Sequence, residues 1–351
     1  MELRPSKPVL SPAIADGERY SRQILFKQIG AEGQKRLAAS RVVVVGCGAT
    51  GSVLCSLLAR AGVGLIRIVD RDYVEASNLQ RQSLFDENDA FESVPKSIAA
   101  ARQIARFNSA IVVEPQVADL TPQSVDALLA GVDLILDGTD NFETRYLIND
   151  YAIKNSIPWI YSAAVGSYAV TMNIIPGGTS CLACIFPESP RGTVETCETA
   201  GILNSAVNMV ASVAATEALK LLVGVSSKMR RTLLSWDVWS NEQAEVSAGA
   251  PREGCRVCAK REFVHLAGKG RAHITLCGRN SVQIHEREQP IDFIEMSTRL
   301  EPLGKVRHNS YVLKFWREPY EITLFPDGRA IIKGTTDTAI ARSLYARFIG
   351  S

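Results

Sequence analysis

The apolar positions of the chain fall into short β-branched runs, separated by longer stretches in which apolar and polar residues recur at helical spacing. Runs that end at glycine are typical of buried parallel strands, and the intervening stretches are typical of helices. We predict strands over residues 41–45, 65–69, 111–117 and 133–136, and helices over 52–61, 97–107, 141–155 and 201–222. This alternation indicates a doubly wound, Rossmann-like α/β fold. Two longer stretches, 159–175 and 232–246, are typical of antiparallel strands, so we expect a mixed sheet.

The pattern changes near residue 265, where a second and shorter set of elements begins. We predict a strand over 274–284, a helix over 291–300, a hairpin turning at Pro326-Asp327-Gly328 and a last helix over 337–348. Residues 265–351 are therefore expected to form a small α+β domain after a main domain over residues 18–264. Residues 1–17 contain three prolines and no continuous apolar stretch, so we expect a flexible arm there rather than a signal peptide.

The composition of the chain favours a globular protein and disfavours several other classes. With 351 residues, of which 46% are hydrophobic, the chain is long enough for one large core and a smaller one. Charged residues make up 22% and the net charge is +2, so nothing indicates a nucleic-acid binder or a disordered chain. We find no apolar run long enough to span a bilayer, and we expect a cytoplasmic protein that does not bind a membrane. Its eight cysteines should then be reduced, which favours metal binding or chemistry over disulfides.

A glycine-rich loop carries the first chemical signal. Gly46-Cys47-Gly48-Ala49-Thr50-Gly51 follows a predicted strand and opens a helix, and Asp70 ends the next strand 24 residues after Gly46. The glycines allow phosphate to approach the free N–H groups of the helix N-terminus. An acid at the end of the second strand commonly binds ribose hydroxyls. The pattern indicates an adenine nucleotide, and it fits NAD and FAD as well as ATP. A glycine turn that serves only packing is the alternative.

Three charged residues favour ATP. Arg81 and Lys96 can offset the charge of a triphosphate, and Asp140, in Asp137-Gly-Thr-Asp140-Asn141, can hold a magnesium ion. Taken singly, the arginine and lysine could be surface residues, and Asp140 could simply cap the following helix.

The histidines agree with this chemistry, because all four (His265, His273, His285 and His308) follow residue 264. The main domain must therefore work without a histidine base. A C-terminal carboxylate, with a pKa of about 3.5, is already an anionic nucleophile at neutral pH and needs only alignment and charge neutralisation.

Several motifs together carry a family resemblance. Arg19-Tyr-Ser-Arg22-Gln, GCGATG, Ser77-Asn78-Leu-Gln-Arg81-Gln, the Pro95-Lys96 pair and DGTDN occur in the order seen in ThiF, MoeB and the adenylation domains of ubiquitin-activating enzymes. The resemblance covers about residues 18–259. The chain departs from the usual GxGGxG pattern at Ala49, which should matter little where a backbone N–H makes the contact.

The resemblance implies an activity and its partners. It implies ATP-dependent adenylation of the C-terminal glycine of a ubiquitin-like sulfur-carrier protein ending in Gly-Gly, followed by sulfur delivery from a sulfurtransferase or cysteine desulfurase. It also implies a homodimer in which Arg22 reaches into the partner subunit's site, although by sequence alone Arg22 could be a helix-surface residue. The ATP site that it implies consists of Asp70, Asn78, Arg81, Lys96 and Asp140. With the glycine loop and two motif neighbours, the predicted nucleotide-binding set also includes Gly46, Gly48, Ala49, Gly51, Ser77 and Asn141.

Two CxxC pairs indicate a metal site. Cys181-Leu-Ala-Cys184 and Cys255-Arg-Val-Cys258 supply four thiolates, enough to close a tetrahedral zinc site. Because the pairs are far apart in the sequence, such a site would join distant segments as a structural clamp. The family that the chain resembles carries zinc at these positions. Redox-active dithiols are the alternative.

The other cysteines differ in their surroundings. Cys197 lies in a polar stretch and resembles the cysteine of the family's crossover loop, which can accept the activated carboxylate covalently. Its flanking glutamates should raise its thiol pKa, so a passive role stays open. Cys47 and Cys55 are typical of small buried residues, and Cys277 is expected to pack in the small domain.

Two other functions share the same loop. One is an NAD- or FAD-dependent oxidoreductase, which the absence of histidine and the charged set around the predicted phosphates disfavour. The other is a catalytically silent scaffold, which would require loss of Arg22, Arg81, Lys96 or Asp140, and all four are present. The role of the C-terminal domain is open between docking of the carrier and stabilising a dimer.

Overall fold

Eight strands build the first sheet of the computed structural model, which describes residues 16–188, 200–268, 275–276, 280–284 and 291–350. They are β1 Arg41–Val45, β2 Leu65–Val69, β3 Val112–Gln116, β4 Leu134–Asp137, β5 Trp159–Val165, β6 Tyr168–Ile174, β7 Thr232–Asp237 and β8 Glu242–Ser247. Their order is β3-β2-β1-β4-β5-β6-β7-β8. The first five in that order are parallel and the others antiparallel, so the mixed, doubly wound sheet is confirmed.

Helices cover both faces of this sheet. They are α1 Asp16–Arg19, α2 Ser21–Ile24, α3 Gly30–Ala39, α4 Ala49–Ala61, α5 Glu87–Glu92, α6 Lys96–Phe107, α7 Val125–Leu129, α8 Phe142–Asn155, α9 Leu182–Ile185 and α10 Asn204–Leu222. The sequence predicted α4, α6, α8 and α10. Most of the others have only four to six residues and are too short to show a helical period.

The valines of β1 show why this sheet is buried. Val42 and Val44 face a core shared with α3, α4, α6 and α10, whereas Val43 and Val45 face a second core shared with α7 and α8. All four are at most 3% exposed. Alternate side chains of a strand point to opposite faces, so a continuous apolar run is what a strand covered on both sides requires.

Two of the predicted strands are each two strands. The stretch 159–175 turns at Gly166, whose φ is +59°, and becomes the hairpin β5–β6. The stretch 232–246 turns over residues 238–241 into the hairpin β7–β8, with Asn241 at φ +61°. The alternation of side chains predicted strand conformation correctly in both stretches. It did not show the turns, because a single glycine or asparagine in the left-handed region is enough to reverse the chain.

Helix α10 corrects the expectation that no apolar run could span a bilayer. It has 19 residues and is apolar enough by length and composition to do so, and half of its apolar stretch is buried in the protein. It packs against α4, β5 and β6 through small residues such as Ala211 and Ala214, both fully buried. A central helix in contact with a sheet and another helix is apolar for that reason alone.

A second sheet lies in the C-terminal part. Its strands are β9 Thr275–Leu276, β10 Ser281–Ile284, β11 Lys305–His308, β12 Leu313–Arg317, β13 Tyr320–Leu324 and β14 Ala330–Lys333, in the order β11-β12-β13-β14-β10-β9. All pairs are antiparallel. Helices α11 Phe293–Leu300 and α12 Thr338–Phe348 cover one face. A small α+β unit at this end is confirmed, whereas the exact boundary at residue 265 stays a prediction.

The strand predicted over 274–284 is also two strands, because β9 and β10 pair with each other through Ser281 and Leu276. The hairpin turning at Pro326-Asp327-Gly328 is confirmed and joins β13 to β14. β11 and β12 were not predicted. Asp292 and Asp337 cap α11 and α12 through their side chains, so both helices begin close to the predicted positions.

Candidate functional site

The glycine loop lies at the carboxyl ends of β1 and β4. Gly46 has φ +83°, and a Cβ there would lie 2.7 Å from the carbonyl oxygen of Gly138, just after β4. Gly51 packs so closely on the Gly46 carbonyl that it has no room for a side chain. Gly48 precedes α4 without a side-chain cap, so the first N–H groups of α4 are left for another acceptor. The loop therefore has the geometry of a phosphate cradle.

Asp70 organises this loop. Its two carboxylate oxygens accept the backbone N–H groups of Cys47 at 2.6 Å and Asp72 at 2.7 Å. The side chain is buried, and burial raises its pKa above the ordinary value while the charge of Lys96 opposes that rise. The acid predicted to bind ribose thus has both oxygens engaged with backbone.

Asp72 is an acid that the sequence analysis missed. Its Oδ2 lies 3.4 Å from the Nζ of Lys96, and its side chain is 18% exposed. The available signal was a second carboxylate two residues after Asp70, at the same end of β2. Asp72 is more open than Asp70, and its other oxygen lies 4.0 Å from the Nε of Arg71, so the binding of ribose by Asp70 stays a prediction.

Lys96 is the first residue of α6 and only 3% exposed. Its backbone N–H donates to the carbonyl of Asp72 at 2.9 Å, which ties the start of α6 to the end of β2. A helix N-terminus already carries partial positive charge, so a buried ammonium there makes the region favourable for an anion. The ion pair with Asp72 offsets part of this charge.

The segment after β2 supplies further polar groups. Asn78 is 3% exposed and its Oδ1 accepts from the N–H of Glu75 at 3.1 Å, which shapes a short 3₁₀ turn. Arg81 donates to the carbonyl of exposed Ser77 at 2.8 Å and is half-buried. Gln82, which was not proposed as a site residue, is 3% exposed, and its Nε2 lies 3.9 Å from where a Cβ on Gly48 would be. It faces the glycine loop.

The loop after β4 places Asp140. Asn141, and not Asp140, caps α8 by accepting from the N–H of Thr144 at 2.8 Å. The interpretation of Asp140 as a helix cap is therefore wrong, and its carboxylate is exposed. Below it, Asp137 is fully buried and bonds the Nε of Arg145 at 2.9 Å. That buried pair was not predicted, since an aspartate and an arginine eight residues apart carry no specific signal.

In the Arg19–Gln23 motif, two side chains hold the segment against neighbouring helices and a third, Arg22, is exposed. Arg19 donates to the carbonyl of Phe107 at 2.6 Å, and Gln23 donates to that of Ala61 at 2.8 Å. These bonds fix the segment to the ends of α6 and α4. Arg22 points outward, is exposed, and makes no hydrogen bond or ion pair with the described part of its own chain.

The four cysteines of the CxxC pairs converge. Their Sγ atoms all lie within 4.8 Å of one another, with separations of 3.7 Å for Cys181–Cys184 and Cys181–Cys255 and 3.4 Å for Cys184–Cys258. A zinc tetrahedron with Zn–S bonds of about 2.3 Å has S–S edges of about 3.8 Å, so the set fits the ion. Three of the four are buried, and the pairs are 74 residues apart in the chain.

The remaining cysteines divide into two groups. Cys47 and Cys55 are fully buried, as predicted. Cys197 and Cys277 lie outside the described residues, as do His273 and His285. The covalent role of Cys197 and the packing of Cys277 therefore stay predictions.

Comparisons with known proteins agree with this geometry. The model of the ThiF family matches residues 20–257. The sulfur carrier protein ThiS adenylyltransferase of Bacillus subtilis (strain 168) is 42% identical over 336 residues, which cover 95% of this chain and 99% of that protein. The SAMP-activating enzyme E1 of Haloferax volcanii is 40% identical over 63% of this chain and 81% of its own. The crystal structure of E. coli MccB with ATP has a TM-score of 0.60 at 24% identity, covering 71% of this chain and 76% of that one, and shows the likeness of fold.

Proposed function

The chain belongs to the ThiF family, and on that premise we propose that it is an adenylyltransferase. It uses ATP to adenylate the C-terminal glycine carboxylate of a ubiquitin-like sulfur-carrier protein, which yields an acyl-adenylate and pyrophosphate. The observation that carries the proposal is the convergence of the uncapped N-terminus of α4, buried Lys96 and exposed Asp140 at the carboxyl edge of one sheet. The similarity to the ThiS adenylyltransferase over nearly the whole chain supports the choice of substrate class.

The chemistry needs no proton transfer. A carboxylate oxygen of the carrier attacks the α-phosphorus of ATP, the bond to the bridging oxygen breaks, and pyrophosphate leaves with both electrons of that bond. The work left to the protein is alignment and stabilisation of charge on the phosphates. The N–H groups of α4, Lys96 and Arg81 are assigned to this role. Asp140 would hold magnesium, which neutralises phosphate charge when bound.

We assign the four-cysteine cluster to structural zinc. Four thiolates close the coordination sphere and leave no open position for a substrate, so the ion would act as a clamp. It would tie the start of α9 to the segment 255–258. A redox-active dithiol would instead need an accessible pair, and three of these four side chains are buried.

We also propose a homodimer, in which Arg22 completes the site of the partner subunit. Support comes from the exposure of Arg22 and from two large apolar neighbours, Leu25 and Phe26, which are 70% and 57% exposed. Delivery of sulfur would fall to a separate sulfurtransferase or cysteine desulfurase, and Cys197 is the candidate residue on this chain to take the activated carboxylate covalently. A cytoplasmic location remains a prediction from the expected reduced state of the cysteines.

The test is ATP–pyrophosphate exchange with a panel of carrier proteins that end in Gly-Gly. One carrier should support exchange, and Asp140→Asn should lower the rate by about 100-fold or more, as for loss of an electrostatic group in a transition state. Asp126→Asn, at an exposed acid on α7, is the matched control and should leave the rate unchanged.

Two outcomes would oppose the proposal. Exchange with none of the carriers would favour the silent scaffold. A carrier-independent change in NAD or flavin absorbance would favour the oxidoreductase.

A further inference from the structure

Strand β14 runs beside the segment that follows Asp72. Lys333 forms an ion pair with Glu75, and Ile331 packs against Tyr73 in a small apolar cluster with Phe325. Alternate residues of a strand share a face, so Ile331 and Lys333 both point towards residues 73–75. The intervening Ile332 instead belongs to the core under α11 and α12. Arg329 directly precedes β14, at the end of the strand where Asp72 is among the charges that act on it.

Arg329 is buried without adequate partners. Its side chain is 2% exposed, its guanidinium lies 4.0 Å over the ring of Phe325, and its Nε is 3.7 Å from Oδ2 of Asp327. Neither Nη1 nor Nη2 has a hydrogen-bond partner among the described residues. A buried guanidinium with unused donors is costly to the folded chain, so it calls for an acceptor that the described part of the chain does not supply, such as a ligand, an ion or an ordered water.

Arg329 lies beside the segment that follows β2, because Phe325, under its guanidinium, packs in one cluster with Tyr73. Burial lowers its pKa, and the charges of Asp327, Arg71, Asp119 and Asp72 also act on it. Arg71 and Asp119 form an ion pair of 3.0 Å between the ends of β2 and β3. In this fold the phosphates lie at the end of β1, and the ribose lies at the end of β2. Along this edge of the sheet, the end of β1 is therefore nearest the phosphates, and the ends of β2 and β3 are nearer the nucleoside.

We propose that Arg329 donates hydrogen bonds to the nucleoside half of the bound nucleotide, to a ribose hydroxyl or a ring nitrogen of the base. The C-terminal sheet then forms one wall of the nucleotide site, and the Lys333–Glu75 pair with the Ile331–Tyr73 contact holds that wall in place. The inference rests on the nucleotide site of the proposed function. It gives the C-terminal unit a role in binding ATP.

The test compares the affinities of the full-length protein for ATP and for adenosine by calorimetry. Arg329→Met should weaken binding of both ligands by about tenfold or more, the typical effect of losing hydrogen bonds from a charged group. Arg329→Lys, which keeps the charge but loses the planar fork, should weaken both to a smaller extent. Arg317→Met, at an exposed arginine on β12 of the same sheet, is the matched control and should bind like the wild type.

Thermal unfolding of the nucleotide-free protein separates binding from folding. Because Nη1 and Nη2 are buried without acceptors among the described residues and the pair with Asp327 is long, at 3.7 Å, Arg329→Met should melt at or above the temperature of the wild type. A melting temperature that falls would assign Arg329 to the folded core and overturn the inference. Unchanged affinity for adenosine, including the case in which only ATP affinity drops, would also overturn it. Wild-type protein that binds no ATP would instead overturn the proposed function on which the inference rests.

Discussion

The Asp137–Arg145 pair offers a direct test of how the site is held. Replacing Arg145→Met leaves the carboxylate of Asp137, which is fully buried, without its charged partner. At 2.9 Å and an effective dielectric constant of 20, the lost attraction is about 6 kcal/mol. The N–H and hydroxyl of Thr139 still donate to the other oxygen of Asp137, which reduces the net cost. We therefore expect a loss of about 3–5 kcal/mol, typical of a buried pair broken on one side.

Differential scanning calorimetry measures this loss. For a unit of roughly 250 residues, each kcal/mol lowers the melting temperature by about 2–4 °C, so Arg145→Met should melt roughly 6–20 °C below the wild type. Adding Asp137→Asn to Arg145→Met removes the stranded charge and should recover part of the loss. ATP–pyrophosphate exchange should fall as well, because Arg145 also donates to the carbonyl of Thr139, next to Asp140, at 2.6 Å.

An exposed pair serves as the control. Lys35 and Glu32 lie 2.7 Å apart, but their side chains are 73% and 77% exposed. Since solvent screens such a pair, Lys35→Met should leave the melting temperature unchanged. If Arg145→Met melted like Lys35→Met, burial would not be what gives the Asp137–Arg145 pair its importance, and the reasoning would be refuted.

Two further predictions concern the cysteine cluster and one buried acid. Wild-type protein should contain about one zinc per chain by elemental analysis, whereas Cys255→Ser should lose it and unfold at a lower temperature; full zinc content in that variant would count against the assignment. Burial raises the pKa of Asp150 to about 6, so the folded state holds this proton more tightly than the unfolded state. Asp150→Asn should therefore be more stable than the wild type by up to about 3 kcal/mol above pH 6, with the gain lost as pH falls to about 4. A gain that is equal at all pH values, measured by urea unfolding, would contradict this account.

The sequence predicted the parts of the site that depend on local backbone. The glycine positions in the Gly46–Gly51 loop follow from close packing against β4, and the strand before it follows from burial on both faces. Four cysteines in two CxxC pairs predicted a cluster whose geometry fits zinc. In each case the residue type itself carries the physical requirement.

The parts that were missed depend on contacts between distant segments. Asp70 and Asp72 are both acids at the end of β2, and only the fold shows that Asp70 is engaged by the N–H of Cys47. The burial of Arg329 arises from the packing of the second sheet on Tyr73, which no local pattern encodes. Arg145 was missed for the same reason, because its importance comes from the complete burial of its partner.

The pairing of β1 with β4 has a consequence for how the protein matures. These strands meet across a long stretch of chain, as the bond from the N–H of Arg41 to the carboxylate of Asp133, 92 residues later, shows. Contacts of such large sequence separation are slow to form because the entropy of closing a long loop must be lost first, whereas hairpins such as β7–β8 close locally. A nascent chain that has not yet reached β4 cannot assemble the phosphate cradle. On the proposed function, ATP would stabilise only chains in which this pairing is complete, and so would favour finished molecules over partly folded ones.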